Sequence, residues 1–250
     1  MRHPILAALA GIGILFGLTN GLRAEDADAD RDLDLASIEG EYDDTAGFAA
    51  FDPLAPYNRV VHGFNDRLYL WVLDPLARGY AWAIPEAPRR GVDNFFENLG
   101  APVRVCNNLF QLKPFQAGRE LARFANNTTF GVLGFSRAAE KHFGLAKYDE
   151  DFGQTLGVCG LGGGPYVVWP FLGPSNLRDT VGLVGDALLS PTTYLTQDPP
   201  GLGPGLFAGR SLNSASLRLG DYQEMKKGAL DPYLFFRDAY TQNRASHIEK

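Results

Sequence analysis

The sequence predicts a mainly α-helical fold: a single domain of short amphipathic helices with one glycine-rich loop or short β-hairpin near residues 160–170. Three observations carry that expectation. From Phe51 onward, apolar residues recur at three- and four-residue spacing, the period of one helix face. The 29 Gly and 16 Pro cut these runs short, which excludes coiled coil and long uninterrupted rods. The stretch from Lys147 to Pro174 abandons the helical period and contains the β-forming run Tyr166-Val167-Val168-Trp169.

The chain opens with Arg2 and His3, then an apolar run from Ile5 to Leu18, then a polar end closing on the small residue Ala24. That order reads as a secretory signal peptide over residues 1–24, with an uncleaved anchor as the alternative. Glu25 to Asp44 holds ten acids against one base, Arg31, so residues 25–50 are read as an acidic disordered linker. The folded domain is expected over residues 51–244, followed by a tail at 245–250.

Tyr57, Val60, Val61, Phe64, Leu68, Trp71 and Val72 make one face of a first helix, which Pro75 is expected to stop; Asn58, Arg59, His62, Asn65, Asp66 and Arg67 make the other. A second helix carries Leu76, Tyr80 and Ala83 and ends before Pro85. A third carries Val92, Phe95, Phe96 and Leu99 and stops at Gly100 and Pro102. A fourth runs through Val105, Cys106, Leu109 and Leu112 to Pro114. The fifth buries Ala117, Leu121, Phe124, Ala125 and Thr128 and leaves Arg119, Glu120 and Arg123 outside. A sixth spans roughly Ser136 to Phe143. Gly153, Gly157, Gly160, Gly162, Gly163 and Gly164 disfavour helix in the next stretch, since each costs backbone entropy. Helix resumes after Pro174 with Ser175 as N-cap and Leu177, Thr180, Val181, Val184, Gly185 and Leu188 on one face. After a Pro/Gly-rich loop from Thr196 to Gly205, Leu212, Ala215, Leu219 and Tyr222 mark a further helix, and Pro232 to Arg244 the last.

The formal charge of -6 counts against nucleic-acid binding. Gly160-Leu-Gly-Gly-Gly-Pro165 lacks the Lys-Ser/Thr of a phosphate loop. Neither a serine-hydrolase elbow nor a His- or Cys-based metal spacing is present, so no cofactor or metal is expected. Tyr148-Asp149-Glu150-Asp151 reads as a solvated turn or helix cap. Cys106 and Cys159 leave a disulfide or two buried free thiols open, with a reactive thiol the least favoured reading. No stretch reaches the ~18 to 20 apolar residues that span a bilayer. Composition alone therefore fits an ordinary α-helical globule, with helices lying at a membrane interface as the alternative.

A set of separated motifs sharpens this. Phe51-Asp-Pro-Leu-Ala-Pro-Tyr-Asn-Arg59 with Gly63-Phe-Asn65 resembles the opening of the MlaA family, also called VacJ, outer-membrane phospholipid-trafficking lipoproteins of Gram-negative bacteria. The resemblance continues through Val92–Leu99, Gly118–Phe124, Glu150–Gly157, Gly164–Tyr166, Pro170–Asp179, Asp231–Tyr233 and Arg237–Tyr240. It covers about residues 51 to 244, in order.

The resemblance implies a ring-like helical body in the inner leaflet of the outer membrane, with a central amphipathic channel for phospholipid. It further implies association with a trimeric porin and delivery to a soluble periplasmic lipid carrier, a retrograde flow that preserves lipid asymmetry. A periplasmic lipid-binding carrier or scaffold without a channel is the alternative. Asp52, Pro53, Asn58 and Arg59 are then a turn and helix start, and Asp231, Pro232 and Tyr233 belong to the terminal helix motif. Phe64 and Asn65 line the channel or pack in the core. Phe152, Gly153 and Gln154, with Gly164, Pro165 and Tyr166, form a gate or hairpin beside the pore, or a structural loop. Arg178 and Asp179 are a polar wall element or, preferably, a surface pair. One departure stands out: family members usually carry an acylated lipobox Cys, whereas the first Cys here is Cys106. Membrane residence is therefore expected to rest on amphipathic helices and porin contact, or the protein is periplasmic and only visits the membrane.

Overall fold

A computed structural model describes residues 50–199 and 201–249. The expected signal peptide and most of the acidic linker lie outside the described residues. Among the described residues, twelve α-helices and one two-stranded hairpin follow, so the mainly α expectation holds. They are α1 (Ala55–Leu68), α2 (Asp74–Ala83), α3 (Glu86–Leu99), α4 (Ala101–Phe110), α5 (Pro114–Thr129), α6 (Ala138–Phe143) and α7 (Phe152–Val158). Then come β1 (Tyr166–Trp169), β2 (Gly173–Asn176), α8 (Leu177–Leu189), α9 (Pro191–Leu195), α10 (Leu202–Leu217), α11 (Asp221–Lys227) and α12 (Pro232–Ile248).

Four local expectations are corrected. Pro75 does not end the first helix. A π-helical segment, Tyr69–Leu73, carries the chain from α1 into α2, and Pro75 falls in the first turn of α2, where a missing N–H costs little. The glycine-rich stretch contains a real helix, α7, capped by Asp151, whose Oδ1 accepts from Gln154 N at 2.8 Å. The N-cap of α8 is Asn176, not Ser175; its side chain accepts from Asp179 N at 2.7 Å. The helix foreseen around Leu212 to Tyr222 is two, α10 and α11, broken at Gly220 with φ 101°. β1 lies where the β-formers placed it, but the hairpin runs on to Asn176, past the expected 160–170, with Tyr166 opposite Asn176 and Trp169 opposite Gly173.

Packing brings α4 onto α5, α7 onto α8, and α10 onto both α2 and α3. A small apolar core of Val61, Tyr166, Val168 and Tyr233 joins α1, β1 and α12. Elsewhere the usual arrangement is reversed. Of the five largest fully buried side chains, four are polar or charged: Glu120, Asn58, Asn107 and Asn108. Glu120 is 0% and Arg123 3% exposed, so the outer face expected for α5 is its inner one. The apolar residues point away: Val60, Trp71, Leu76, Trp82, Leu109, Phe110, Phe115, Leu121, Leu177, Val181 and Leu188 are all exposed, Trp82 at 90%. The helices are amphipathic as expected, and the faces are assigned opposite to those of a water-soluble globule.

Candidate functional site

The buried polar residues form two connected assemblies. The first holds the hairpin. Asn58 and Asn65 lie two turns apart on α1 and both face β1. Asn58 Nδ2 donates to Tyr166 O at 3.0 Å, and its Oδ1 accepts from Val168 N at 2.8 Å. Asn65 Nδ2 donates to Trp169 O at 2.9 Å, and its Oδ1 accepts from Phe171 N at 2.9 Å. Two carboxamides thus replace a third strand along the open edge of β1, which would otherwise leave backbone groups unpaired. Asp52 accepts from Asn58 Nδ2 at 2.8 Å and from the Tyr233 hydroxyl. Arg59 donates to Asp231 at 2.9 Å and lies 4.6 Å from the centre of the Tyr233 ring. Pro53 turns the chain into α1 and Pro232 opens α12 behind its cap, Asp231.

The candidate residues therefore divide. Asn65, Asn58, Asp52, Arg59, Tyr166, Asp231 and Tyr233 converge on this joint. Phe64 does not: it is exposed and meets Phe171 edge-to-face at 5.4 Å. Gly164, with φ 69°, and Pro165 form the approach to β1.

A second assembly fixes α7. Arg244 on α12 donates to Asp151 at 2.5 and 2.9 Å and to Asp179 at 2.8 and 2.9 Å. Asp179 also accepts from Tyr240 OH at 2.6 Å, Asn176 Nδ2 at 2.8 Å and Arg178 Nε at 2.9 Å. Arg178 and Asp179 are both buried, which corrects the preference for a surface pair. Asp151 is the cap that the acidic tetrad suggested, but Glu150 is held by Lys113 at 2.9 Å rather than simply solvated. Gln154 is buried, donating to Asp151 and to Asp149 O. Gly153 faces Asp179, Phe152 N donates to Asp186 Oδ1 at 3.0 Å, and the Phe152 ring meets Phe110.

Beside these runs a seam of charge that the sequence reading missed. Arg104 donates to Glu120 at 2.8 Å, Arg123 to Glu97 at 2.7 Å, Arg137 to Glu97 at 2.8 Å, and Tyr148 N to Glu120 at 2.7 Å. Burial would raise Glu97, but Lys147, Arg137 and Arg123 together hold it down at about 2. Asn107 extends the seam to Asp186, donating at 2.9 Å. Burial and the neighbouring Asp151 push Asp186 up to about 7. The signal that could have found the seam is the polar spacing Arg104, Asn107, Asn108, Gln111 on one helix and Glu120, Arg123, Asn127 on the next. Cys106 and Cys159 are free thiols, as one reading had it, but half-buried and exposed rather than buried. No group of His, Cys, Asp and Glu among the described residues is arranged to hold a metal, and no described helix is long and apolar enough to cross a membrane.

The family model described as MlaA lipoprotein matches residues 50–247. The chain belongs to the MlaA lipoprotein family. An MlaA relative from Shigella flexneri, named an intermembrane phospholipid transport system lipoprotein, is 34% identical over 194 residues, 76% of each chain. A Rickettsia felis protein is 30% identical over 219 residues, 87% of this chain and 86% of its own. A solved structure described as "Structural basis for maintenance of bacterial outer membrane lipid asymmetry" superposes with a TM-score of 0.70 at 30% identity, covering 79% of this chain and 98% of the other.

Proposed function

We propose that this MlaA-family protein is a non-enzymatic component of intermembrane phospholipid transport that maintains outer-membrane lipid asymmetry. In this reading it lies in the inner leaflet of the outer membrane and forms a ring around a polar path. Outer-leaflet phospholipids descend along that path to a periplasmic carrier, with a trimeric porin as membrane partner.

The observation that carries the reading is the reversed polarity, with ion pairs and carboxamides inside and Val60, Trp82, Phe115 and Leu188 outside. In water such a surface would drive aggregation; in hydrocarbon it is the stable arrangement. The longer helices suit one leaflet, because ~10 to 16 residues rise ~15 to 24 Å and half the hydrocarbon core is ~15 Å. A phospholipid crossing the leaflet must not bare its charged headgroup to oil, which is costly. A polar wall supplies hydrogen bonds while the acyl chains stay in lipid. The hairpin and α7 are strapped down by Asn58, Asn65 and Arg244, so the mobile gate is assigned to the glycine run ahead of β1, where Gly160 and Gly164 have φ of 89° and 69°. Such a path lowers a barrier without driving flow; direction is supplied by the partners.

Deleting the gene tests the reading through phospholipid exposed on the cell surface. We expect surface phospholipid to rise, and sensitivity to detergent and chelator with it. Unchanged surface phospholipid in the deletion strain would reject the trafficking role. Recovery of the full chain wholly in the soluble periplasmic fraction would favour the carrier reading instead.

A further inference from the structure

Four non-glycine residues among those described have a left-handed backbone: Leu112 with φ 58°, Val132 with 53°, Leu133 with 58° and Phe171 with 64°. Gly, Asn and Asp take this conformation most readily, and a bulky or β-branched side chain is strained there. Yet all four are large and apolar. Side-chain burial does not hold them in place, since they are 87%, 71%, 62% and 50% exposed. In water both properties count against such residues at a turn. Against hydrocarbon an Asn or Asp would be the costly choice instead.

Three of the four bracket α5. Leu112 lies in the turn before it, and Val132 and Leu133 lie in the turn after. The exposed Phe110 and Phe115 flank Leu112; the exposed Phe130 and Phe143 flank the pair, their rings 6.2 Å apart. Between the two ends the outward residues of α5 are Pro114, Phe115, Gly118, Leu121, Ala125 and Thr129, so no charge interrupts the strip. Its one hydroxyl is satisfied from within, Thr129 Oγ1 donating to Ala125 O at 2.7 Å. The turns also close on themselves. Leu112 N donates to Leu109 O at 3.0 Å and Lys113 N to Asn108 O at 2.8 Å. Leu133 N donates to Thr128 O at 2.9 Å, Gly134 N to Asn127 O at 2.8 Å and Ser136 N to Gly131 O at 2.9 Å. Such pairing is what a turn needs against lipid, where no water receives its polar groups.

We propose that the two turns bracketing α5 dip into the acyl chains of the bilayer, and that α5 lies lengthwise along the membrane between them. The proposal rests on the membrane placement above and names the surface that makes the contact. An amphipathic helix in this position buries its apolar strip at the boundary between headgroups and acyl chains. The 16 residues of α5 rise ~24 Å, and half of the hydrocarbon core is ~15 Å deep. With both ends in contact with acyl chains, α5 is inclined by no more than about 40° to the membrane plane. Glu120 and Arg123, buried on the opposite face, then point into the protein. A protein partner fits the strip less well, because protein interfaces carry a polar rim and direct hydrogen bonds, and the strip offers neither. The strained turns thus keep apolar side chains where a turn in water would carry polar ones.

The test uses the full chain and has two arms. In the first, p-benzoylphenylalanine is placed at Leu112 or at Leu133 and irradiated in outer-membrane preparations. Both positions should give adducts with phospholipid acyl chains, read by mass spectrometry. Adducts with protein in place of lipid assign the strip to a partner and overturn the proposal; lipid adducts from one end alone overturn the lengthwise placement. The second arm is the variant carrying Leu112→Asn, Val132→Asn and Leu133→Asn. Asn suits the left-handed backbone, so in maltoside micelles this variant should melt about 2 to 4 °C above the wild type. On vesicles of phosphatidylethanolamine and phosphatidylglycerol its partition coefficient should fall by roughly tenfold or more, because three apolar side chains no longer enter lipid. A higher melting temperature with unchanged partition overturns the proposal and leaves the transport reading standing. A lower melting temperature overturns it too, by assigning these side chains to internal packing. A wild-type chain that binds no vesicle removes the membrane placement itself, and this proposal with it.

Discussion

Glu120 illustrates what a polar interior demands of one side chain. It is fully buried, and both oxygens are used: one accepts from Arg104 at 2.8 Å and the other from Tyr148 N at 2.7 Å. Removing a partner from such a set leaves Arg104 charged and enclosed, a loss of about 3 to 5 kcal/mol. Glu120→Ala is therefore expected to destabilise the protein by that amount in denaturant titrations made in detergent. A change below about 1 kcal/mol would mean that water reaches the pair. Asp186 makes a complementary prediction. Its folded pKa is raised to about 7, from the usual carboxylate value of 3.8, by burial and then by Asp151. The folded protein therefore holds this proton more tightly, and the associated stability is present at low pH and lost as pH rises towards 7. Asp186→Asn keeps an oxygen for Asn107 and Phe152 N while removing the charge. It should match the wild type near pH 4 and be the more stable of the two at pH 8, as melting curves across that range would record. At this scale the sequence was half legible. The motif residues Asp52, Asn58, Arg59, Asp231 and Tyr233 were flagged from the chain alone and do meet in space. That Asn58 and Asn65 complete a strand edge could not be read before the hairpin's position was known.

Helix α7 shows how glycine can build an element that its propensity opposes. A Cβ on Gly182 would lie 2.5 Å from the backbone N of Gly153, and one on Gly153 would lie 2.5 Å from Asp179 Oδ1. The two glycines allow α7 and α8 to touch backbone to backbone, and the packing gained outweighs a propensity cost of ~1 kcal/mol each. Gly182→Ala must push those backbones apart, so a loss of about 1 to 3 kcal/mol is expected, typical of overpacking. Gly63→Ala is the control. It sits inside α1 with nothing within 4 Å of the added methyl, so it should gain about 0.5 to 1 kcal/mol. Equal effects from the two, measured by thermal melting, would refute the close-contact account. Helices α2 to α5 were legible because each has a clean apolar period bounded by Pro or Gly. Helix α7 was not, because its stability comes from Arg244 and Gly182, residues remote from it in the sequence.

Hydrophobic periodicity reports that a helix has two faces and is silent on which one meets the protein. For α5 the choice was made as it would be for a globule in water, and Glu120 and Arg123 overturned it. The deciding quantity is a property of the whole molecule: its described surface carries apolar side chains from nearly every long helix, while its buried volume holds linked charges. Those two facts support the proposed reading, in which an apolar solvent lies on the outside. The outward face is then the place to test. Val60, Trp82 and Phe115 come from α1, α2 and α5, are 73%, 90% and 74% exposed, and support no apolar core. Changing all three to Asp should leave the fold intact in detergent, where little is lost beyond the contact of the Phe115 ring with the Arg119 guanidinium, 5.9 Å away. In lipid each carboxylate would cost up to about 2.5 to 3.5 kcal/mol, depending on depth. The triple variant of the full chain, floated with phosphatidylglycerol-containing vesicles, should stay in the aqueous fraction where the wild type rises with lipid. Melting curves in micelles should superpose for the two proteins. If the variant floats as the wild type does, these three side chains do not face hydrocarbon, and the outer skin must be covered by protein instead.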